Sequence, residues 1–562
     1  MAFQLSPGVN VSEVDLTTVV PSVSTTVGAF AGNFQWGPVN EIIQINNEVQ
    51  LAERFGKPDA NTFTSFFTAA NFLQYSNDLR VVRSVGSGTL NATTSGTGVL
   101  VENELDYLEN HSSGSGSNVF FAKYPGIIGN SLKVSMCDAN TDLLSTWTYR
   151  DTFDSYPTTS DYVGRNNSNG DSAGDELHLV VIDTTGKISG TAGTVIEKFS
   201  FLSKASDAKT DDGSSNYYKD VINSKSKYIW WGSHPSETTN WGRLATDNLV
   251  YDEMAQTDYT LSGAVSVNPS DSNRNVSYDL FANPDSVDVS LILAGETLGL
   301  TVTTHLLSLA ESRKDVVVFF SPNRSDVIDN SGNEASDLNS FVSSFTDRST
   351  YAMMDSAWKY QYDKYNDTYR WVPLNGDVAG LCARTDNQRD PWFSPAGLNR
   401  GQIKNVIKLS WNPTKSERDT IYKIGVNPVV TFPGEGTILY GDKTFFAKPT
   451  AFDRINVRRL FIVLEKTIAR AARSSLFEFN DEFTRSQFVN LVEPFLRDVQ
   501  GRRGIYDFRV VCDTTNNTSE VIDRNEFIGD IYIKPARSIN FIQLNFVAAR
   551  TGVAFDEIVG RF

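Results

Sequence analysis

The chain has 562 residues, with 67 acidic against 50 basic side chains and a net charge of −17. That length exceeds a single hydrophobic core and suggests about three domains, while the acidic balance argues against a general nucleic-acid binder, because phosphate contacts need a basic surface. The sequence holds neither an apolar run of the roughly 18 residues that a spanning helix needs nor a basic-then-apolar leader, so the expectation is a soluble, unexported protein without stable membrane insertion.

The acid is unevenly spread. Gly88 to Lys187 holds 13 acidic and 5 basic side chains, whereas Arg454 to Arg473 holds six bases and only Glu465 as an acid. Such polarity predicts an acidic outside and a basic contact face.

The first element is SPGVNVSEVD, Ser6 to Asp15. Val9 and Val11 fall on one side of an extended chain and Asn10 and Ser12 on the other, the period of a strand. No hairpin partner follows before Pro21, so its open edge must pair with something distant. Next, VGAFAGNFQWGPV (Val27 to Val39) reads as a strand ending at a Gly-Pro turn, and EIIQI as a second short strand. Helices are predicted over Asn47 to Phe55 and Thr62 to Tyr75, then a buried strand in LRVVRSV, Leu79 to Val85.

Gly, Ser, Thr and Asn dominate Gly86 to Asn118, Ser155 to Gly174 and Ser206 to Ser215, the composition of surface loops. Ser131 to Met136 and Glu176 to Asp183 are strand candidates. Val289 to Leu293 and Val316 to Phe320 are apolar throughout, as strands inside a parallel sheet are, and THLLSLAESRK between them suits a crossover helix. An α/β pattern continues through Lys404 to Ser410 and Asp419 to Ile424, and Val426 to Tyr440 carries a Pro-Gly loop.

The clearest helix follows. Val457, Leu460, Phe461, Leu464, Ile468, Ala471 and Ala472 form one apolar stripe, and Arg459, Lys466, Arg470 and Arg473 share the opposite side. Arg485 to Gln500 is a second amphipathic helix, with Pro494 inside it and Gly501 as its stop. Ile505 to Asp513 and Phe527 to Ile533 read as strands. SINFIQLNFV, Ser538 to Val547, is an alternating strand whose phase slips between Phe541 and Ile542, as at a bulge.

Catalytic signatures are missing from this pattern. Cys137, Cys382 and Cys512 are odd in number and far apart, which predicts buried free thiols. His111, His178, His234 and His305 lack metal-ligand spacing. GSG at Gly86 to Gly88 is not a dinucleotide loop, Gly434 to Gly436 belongs to a turn, and the carboxylate pairs read as solvated surface. NNTS at Asn516 to Ser519 is expected to be a turn. The expectation is a protein without enzymatic activity, metal or cofactor.

SPGVNVSEVD, GAFAGNFQWGPVNE, NFLQYSNDLRVVRSV, FDRINVRRLF, VVCDTTNNTSEVIDRNEF and IKPARSINFIQLNFVAARTG, joined by Asp363 to Ser410, resemble the tail sheath proteins of contractile-tailed bacteriophages of the large-myovirus type. The likeness covers the first 85 residues and most of the chain after Tyr351, and is looser between them. It implies a mixed α/β (α+β) multi-domain fold: an arm over 1–22, an inner domain over 23–87 and 346–504, a middle domain inserted over 88–345, and C-terminal strands over 505–562. It further implies stacked hexameric rings around a tail tube, with terminal strands exchanged between subunits through Val9, Val11 and Val14 at one end and Ile539, Phe541, Leu544 and Phe546 at the other. The basic stripe would face the tube or a neighbouring subunit. Linkers near Pro21 and Gly501 to Gly504 would absorb the rotation of contraction. The implied partners are further copies, the tail tube protein, and baseplate and tail terminator proteins, in a virion tail assembled in the host cytoplasm, with no direct nucleic-acid contact. Larger members carry an outer domain between the VVR strand and the YPG segment, where only 40 residues separate Arg83 from Tyr124 here. The alternatives are the sheath of a headless contractile injection particle and a virion-bound adhesin or polysaccharide hydrolase.

Overall fold

The computed structural model describes residues 25–114, 116–139, 141–297, 299–446 and 448–540. The chain forms two compact units, one built from 21–391 with 395–471 and the other from 392–394 with the residues from Ala472 onward.

The larger unit is organised by a seven-stranded sheet. Its strands are β1 (Gly28–Gly32), β2 (Ile42–Ile45), β3 (Leu79–Arg83), β4 (Leu291–Leu293), β5 (Val317–Phe320), β6 (Ala352–Asp355) and β7 (Val426–Asn427), in the order β7-β6-β5-β4-β1-β3-β2. All neighbours are parallel except β2, which runs antiparallel to β3. The short runs GAFAG, LIL, VVFF and AMMD are buried at every residue, as strands with both faces covered must be. The expected crossover between β4 and β5 is the helix Thr301–Arg313.

The predicted strand Val27 to Val39 stops at Gly32, because the next residues turn away to surround a buried cation. Arg83 donates from Nε to the Phe34 carbonyl at 2.9 Å, from Nη1 to Gly37 O at 2.7 Å, and from Nη2 to Gln35 O at 3.2 Å and Pro125 O at 2.7 Å. Carbonyls thus take the place of water around a guanidinium that, among the described residues, pairs with no carboxylate.

Two helices set the thickness of the layer beside the sheet: α1 (Phe63–Leu73) and α2 (Asn375–Gln388). Gly376 and Gly380 lie one turn apart on α2. A Cβ at Gly376 would stand 2.3 Å from Thr68 O and one at Gly380 2.5 Å from the Tyr75 ring. Only glycine permits this approach, so NGDVAG is a packing motif.

Within the same unit, a second sheet with its own core lies between β3 and β4. This four-stranded antiparallel sheet runs Thr194–Ser203, Glu176–Asp183, Leu132–Asp138, Asp258–Thr260 in spatial order, and its core takes residues from Ala92 to Ala264 together with Trp36. The expected insertion of 88–345 is therefore too long at its end. Residues 291–320 carry β4 and β5, which pair in register with β1 and β6. Their distance in sequence from β1 hid a direct neighbour in space.

The boundary expected at 504 also moves. Helix α3 (Ile455–Ala472) ends where the second unit begins. That unit contains α4 (Glu482–Gly501), which continues through Pro494, and the antiparallel ribbon of β8 (Ile505–Val511) and β9 (Asp530–Pro535).

The carboxyl ends of β4, β5 and β6 are closed by the chain itself. Asn375 donates from its backbone N–H and from Nδ2 to Ser321 Oγ, both at 3.0 Å, and exchanges bonds with Gly295; Ser321 Oγ donates to Asp355 Oδ2 at 2.6 Å. Burial, with the nearby Asp377 charge adding to it, pushes the Asp355 carboxyl up to about 8. An unfolded carboxyl ionises near pH ~4, so between these values the folded state holds the extra proton and stability falls as pH rises. The Asp355→Asn variant is expected to remove a slope of up to about 1.4 kcal/mol per pH unit, seen as a thermal midpoint that drops less than the parent's between pH 5 and pH 8.

Candidate assembly interface

Val9, Val11 and Val14, and Phe541, Leu544 and Phe546, lie outside the described residues. Ile539 is described and is 82% exposed.

The four bases on and after α3 do not form one outward line. Arg459 is buried and makes a bidentate pair with Asp386 of α2, with Nη1 to Oδ1 at 2.7 Å. Burial alone would lower the Arg459 pKa, but Asp386 more than offsets this and the net is upward. Lys466 and Arg470 both pair with Asp288. Burial alone would raise the Asp288 carboxyl, and these two partners hold it below the usual carboxylate range. Arg473 is exposed, in a short turn of 3₁₀ helix in the second unit. The first half of α3 is buried nearly all round, including Ile462 and Val463 beside Arg459, so the stripe read as opposite the core is partly core. Helical periodicity gives angles around one axis and is blind to what covers a second side.

In the second unit the ribbon alternates faces. Phe508 pairs with Ile533 and Val510 with Ile531, all half-buried, on the side that meets α4. On the other side Arg509 stands opposite Tyr532, and Lys534 bridges Asp507 at 3.1 Å. Phe488 and Val499 of α4 hold the ribbon. The Phe488 ring meets Phe527 edge-on at 5.5 Å, and Val499 and Trp392 crowd Gly504. Trp392 Nε1 donates to Arg502 O at 3.1 Å. Gly501 to Gly504, expected as a linker, is thus a turn pinned under an indole. NNTS is a turn as read: Asn517 exchanges two bonds with Ile528, at 2.7 and 2.9 Å.

Two features of this unit point to assembly. The ribbon has only two strands, so among the described residues each of its outer edges has no strand partner, and an isolated pair of strands is marginal without a third. The stretch following α3 also exposes Leu476, Phe477, Phe479 and Phe483, with Phe477 fully exposed at a left-handed φ of 71°. The exposed phenylalanines among the described residues all fall between Phe477 and Phe483. Large exposed apolar clusters mark interaction surfaces.

The comparisons with known proteins bear on the same regions. Three sequence families match: the tail sheath protein Gp18 domain III N-terminal region over 25–83, the phage tail sheath protein central domain over 279–445, and the phage tail sheath C-terminal domain over 447–549. The tail sheath protein of Enterobacteria phage T4 is 35% identical over 668 residues, spanning 99% of both chains, and that of Vibrio phage KVP40 is 34% identical over 99% of this chain and 100% of its own. The chain belongs to the phage tail sheath family. The sheath chain is the shorter partner, since the T4 match spans 668 residues against its 562, so the relative carries insertions it lacks. The fold of the sheath chain is similar to those of the sheath tail proteins of Desulfitobacterium hafniense (TM-score 0.53, 10% identity, 94% of this chain and all of that one) and Listeria innocua (TM-score 0.52, 12% identity, 92% and 96%). The central-domain match begins at 279, in accord with the strand pairing that assigns 291–320 to the main sheet.

Sequence reasoning missed several residues of the larger unit. Lys359 and Asp377 form a wholly buried ion pair at 2.9 Å, capped by the Tyr75 hydroxyl. Tyr360, Trp371, Tyr369 and Tyr362 form a ring ladder across one sheet face, with Lys408 over two of them. The alternation WKYQYD followed by TYRWVP carried that signal.

Because α4 holds the ribbon through a 6% exposed Phe488, Phe488→Ala is expected to cost about 3–5 kcal/mol. Amide exchange should rise in β8 and β9 while that of β4 and β5 is unchanged.

Proposed function

We propose that this sheath chain polymerises as stacked six-membered rings around a tail tube, in a metastable extended state, and that a switch to a more compact packing drives the tube through the host envelope. The β8–β9 ribbon with two open edges supports this reading. It is an acceptor to which the N-terminal arm of one neighbour and the C-terminal arm of another would each add a strand. Main-chain bonds would give affinity, and alternation would set register. Donor and acceptor are different surfaces, so the contact is head-to-tail and propagates. Extra apolar burial of ~400 Å² per subunit on contraction would release at most about 10 kcal/mol at ~25 cal/mol/Å². Summed along a tail, that suffices for mechanical work without a nucleotide. The role is structural rather than enzymatic, with tube, baseplate and terminator proteins as partners and assembly in the host cytoplasm.

Deleting Met1 to Pro21 is expected to leave a folded subunit by circular dichroism that forms no tubes by electron microscopy. Tubular assembly by the truncated chain would refute the strand exchange.

The tube- or neighbour-facing role of the basic residues falls to Lys466, Arg470 and Arg473, since Arg459 is enclosed. Lys466→Gln with Arg470→Gln should weaken assembly on tubes severalfold at low ionic strength and little at 0.5 M salt, where exposed charges are screened within about 5 Å. Equal assembly at every salt concentration would make these residues purely intrachain.

A further inference from the structure

We propose that Asp386 and Arg459 anchor the base of the N-terminal arm, so that tension on the arm is taken up by a buried ion pair before it reaches the sheet. The inference rests on the arm-exchange reading above. Thr25 donates its hydroxyl to Asp386 Oδ2 at 2.5 Å, and its carbonyl accepts from Arg459 Nη2 at 3.4 Å. The first sheet-type bonds come later: Val27 O accepts from Ser290 N at 3.0 Å and from Leu291 N at 3.1 Å, and Gly28 N donates to Asp78 O at 3.0 Å. Moving inward along the chain from the arm, the carboxylate and guanidinium are therefore met two residues before the sheet.

The clamp is built to hold. Both ions are almost wholly buried, with side chains 3% and 4% exposed. Two parallel N–H···O bonds fix their geometry, and a buried bidentate pair is among the stronger polar contacts and costly to break. Each partner sits on a braced helix. Asp386 is on α2, which is locked against α1 through Gly376 and Gly380. Arg459 is in the buried first half of α3, and Nη1 also approaches Cys382 O at 3.5 Å. Helix α3 continues to Ala472, where the second unit's chain begins. The base of the arm and the polypeptide leading to the ribbon thus attach to one helix. A subunit that donates a strand at its N-terminus and accepts strands farther along would carry the load through α3 and spare β1, whose five residues sit in the middle of the main sheet.

The test uses Asp386→Asn with Arg459→Gln, which removes both charges and keeps polar groups of similar size. In assembled sheath, amide exchange over residues 25–29 is expected to rise at least tenfold while β4 and β5 stay as in the parent. Tubes should form, then fragment when contraction is triggered. Parent-like exchange, or raised exchange with tubes that survive contraction, would overturn the proposal and leave the pair a core contact only. If the double variant does not fold, Thr25→Val, which keeps the ion pair, is read the same way. It should give severalfold faster exchange at 25–27 with an unchanged thermal midpoint and partial fragmentation, and intact tubes with parent-like exchange reject the anchor. The Met1–Pro21 deletion separates the two readings: tubes formed by the truncated chain overturn arm exchange itself, and with it the need for an anchor.

Discussion

Pairing of β1 on both sides is the interaction on which the larger unit depends. Its five residues take parallel partners from β3, about fifty positions later, and from β4, some 260 positions later, with the entire four-stranded sheet between the two in sequence. Lose β1 and the sheet separates into β2–β3 and β4–β7. The small residues Gly28, Ala29, Ala31 and Gly32 let helix side chains press directly on this strand: a Cβ at Gly28 would stand 2.7 Å from the Phe72 ring. That closeness also leaves little room for error where the preceding chain enters the sheet.

Three ion pairs lie deep inside. Asp138 with Lys204, Asp377 with Lys359 and Asp386 with Arg459 are buried pairs, set at the four-stranded sheet, at the end of the main sheet and at the entry of β1. Such pairs add little net stability, because desolvation offsets attraction, but separating one leaves an unpaired charge in the interior. They therefore favour one arrangement strongly over others, which suits a subunit repeated many times in a lattice. In open α/β sheets the crevice beyond the carboxyl ends of the strands is the usual place for a ligand. Here Asn375, Ser321, Asp355 and Gly295 bond to one another across it, so these polar groups are satisfied within the chain.

The second unit is put together differently. Among the described residues, a two-stranded ribbon packed on α4, with exposed Phe477, Phe479, Phe483, Tyr506 and Tyr532, leaves much apolar surface uncovered within the chain. Where a neighbouring copy covers such a surface, stability and assembly become a single equilibrium.

The sequence by itself determined the elements whose signal is local. The all-apolar strands near 291 and 317, the helix between them, the amphipathic helices through 457–472 and 485–500 and the strands near 505 and 530 follow from side-chain patterning within a dozen residues, and the NNTS turn from its composition. It also carried the family, through motifs spread along the chain. Only the tertiary structure decided which strands share a sheet, since β1 with β4 is a contact between distant segments that no local pattern encodes. It likewise turned Arg459 from a surface charge into a buried one, ended the first strand at Gly32 to solvate Arg83, and pinned Gly504 beneath Trp392. In each case the deciding partner lies tens to hundreds of positions away, and periodicity describes one element while burial is a property of two.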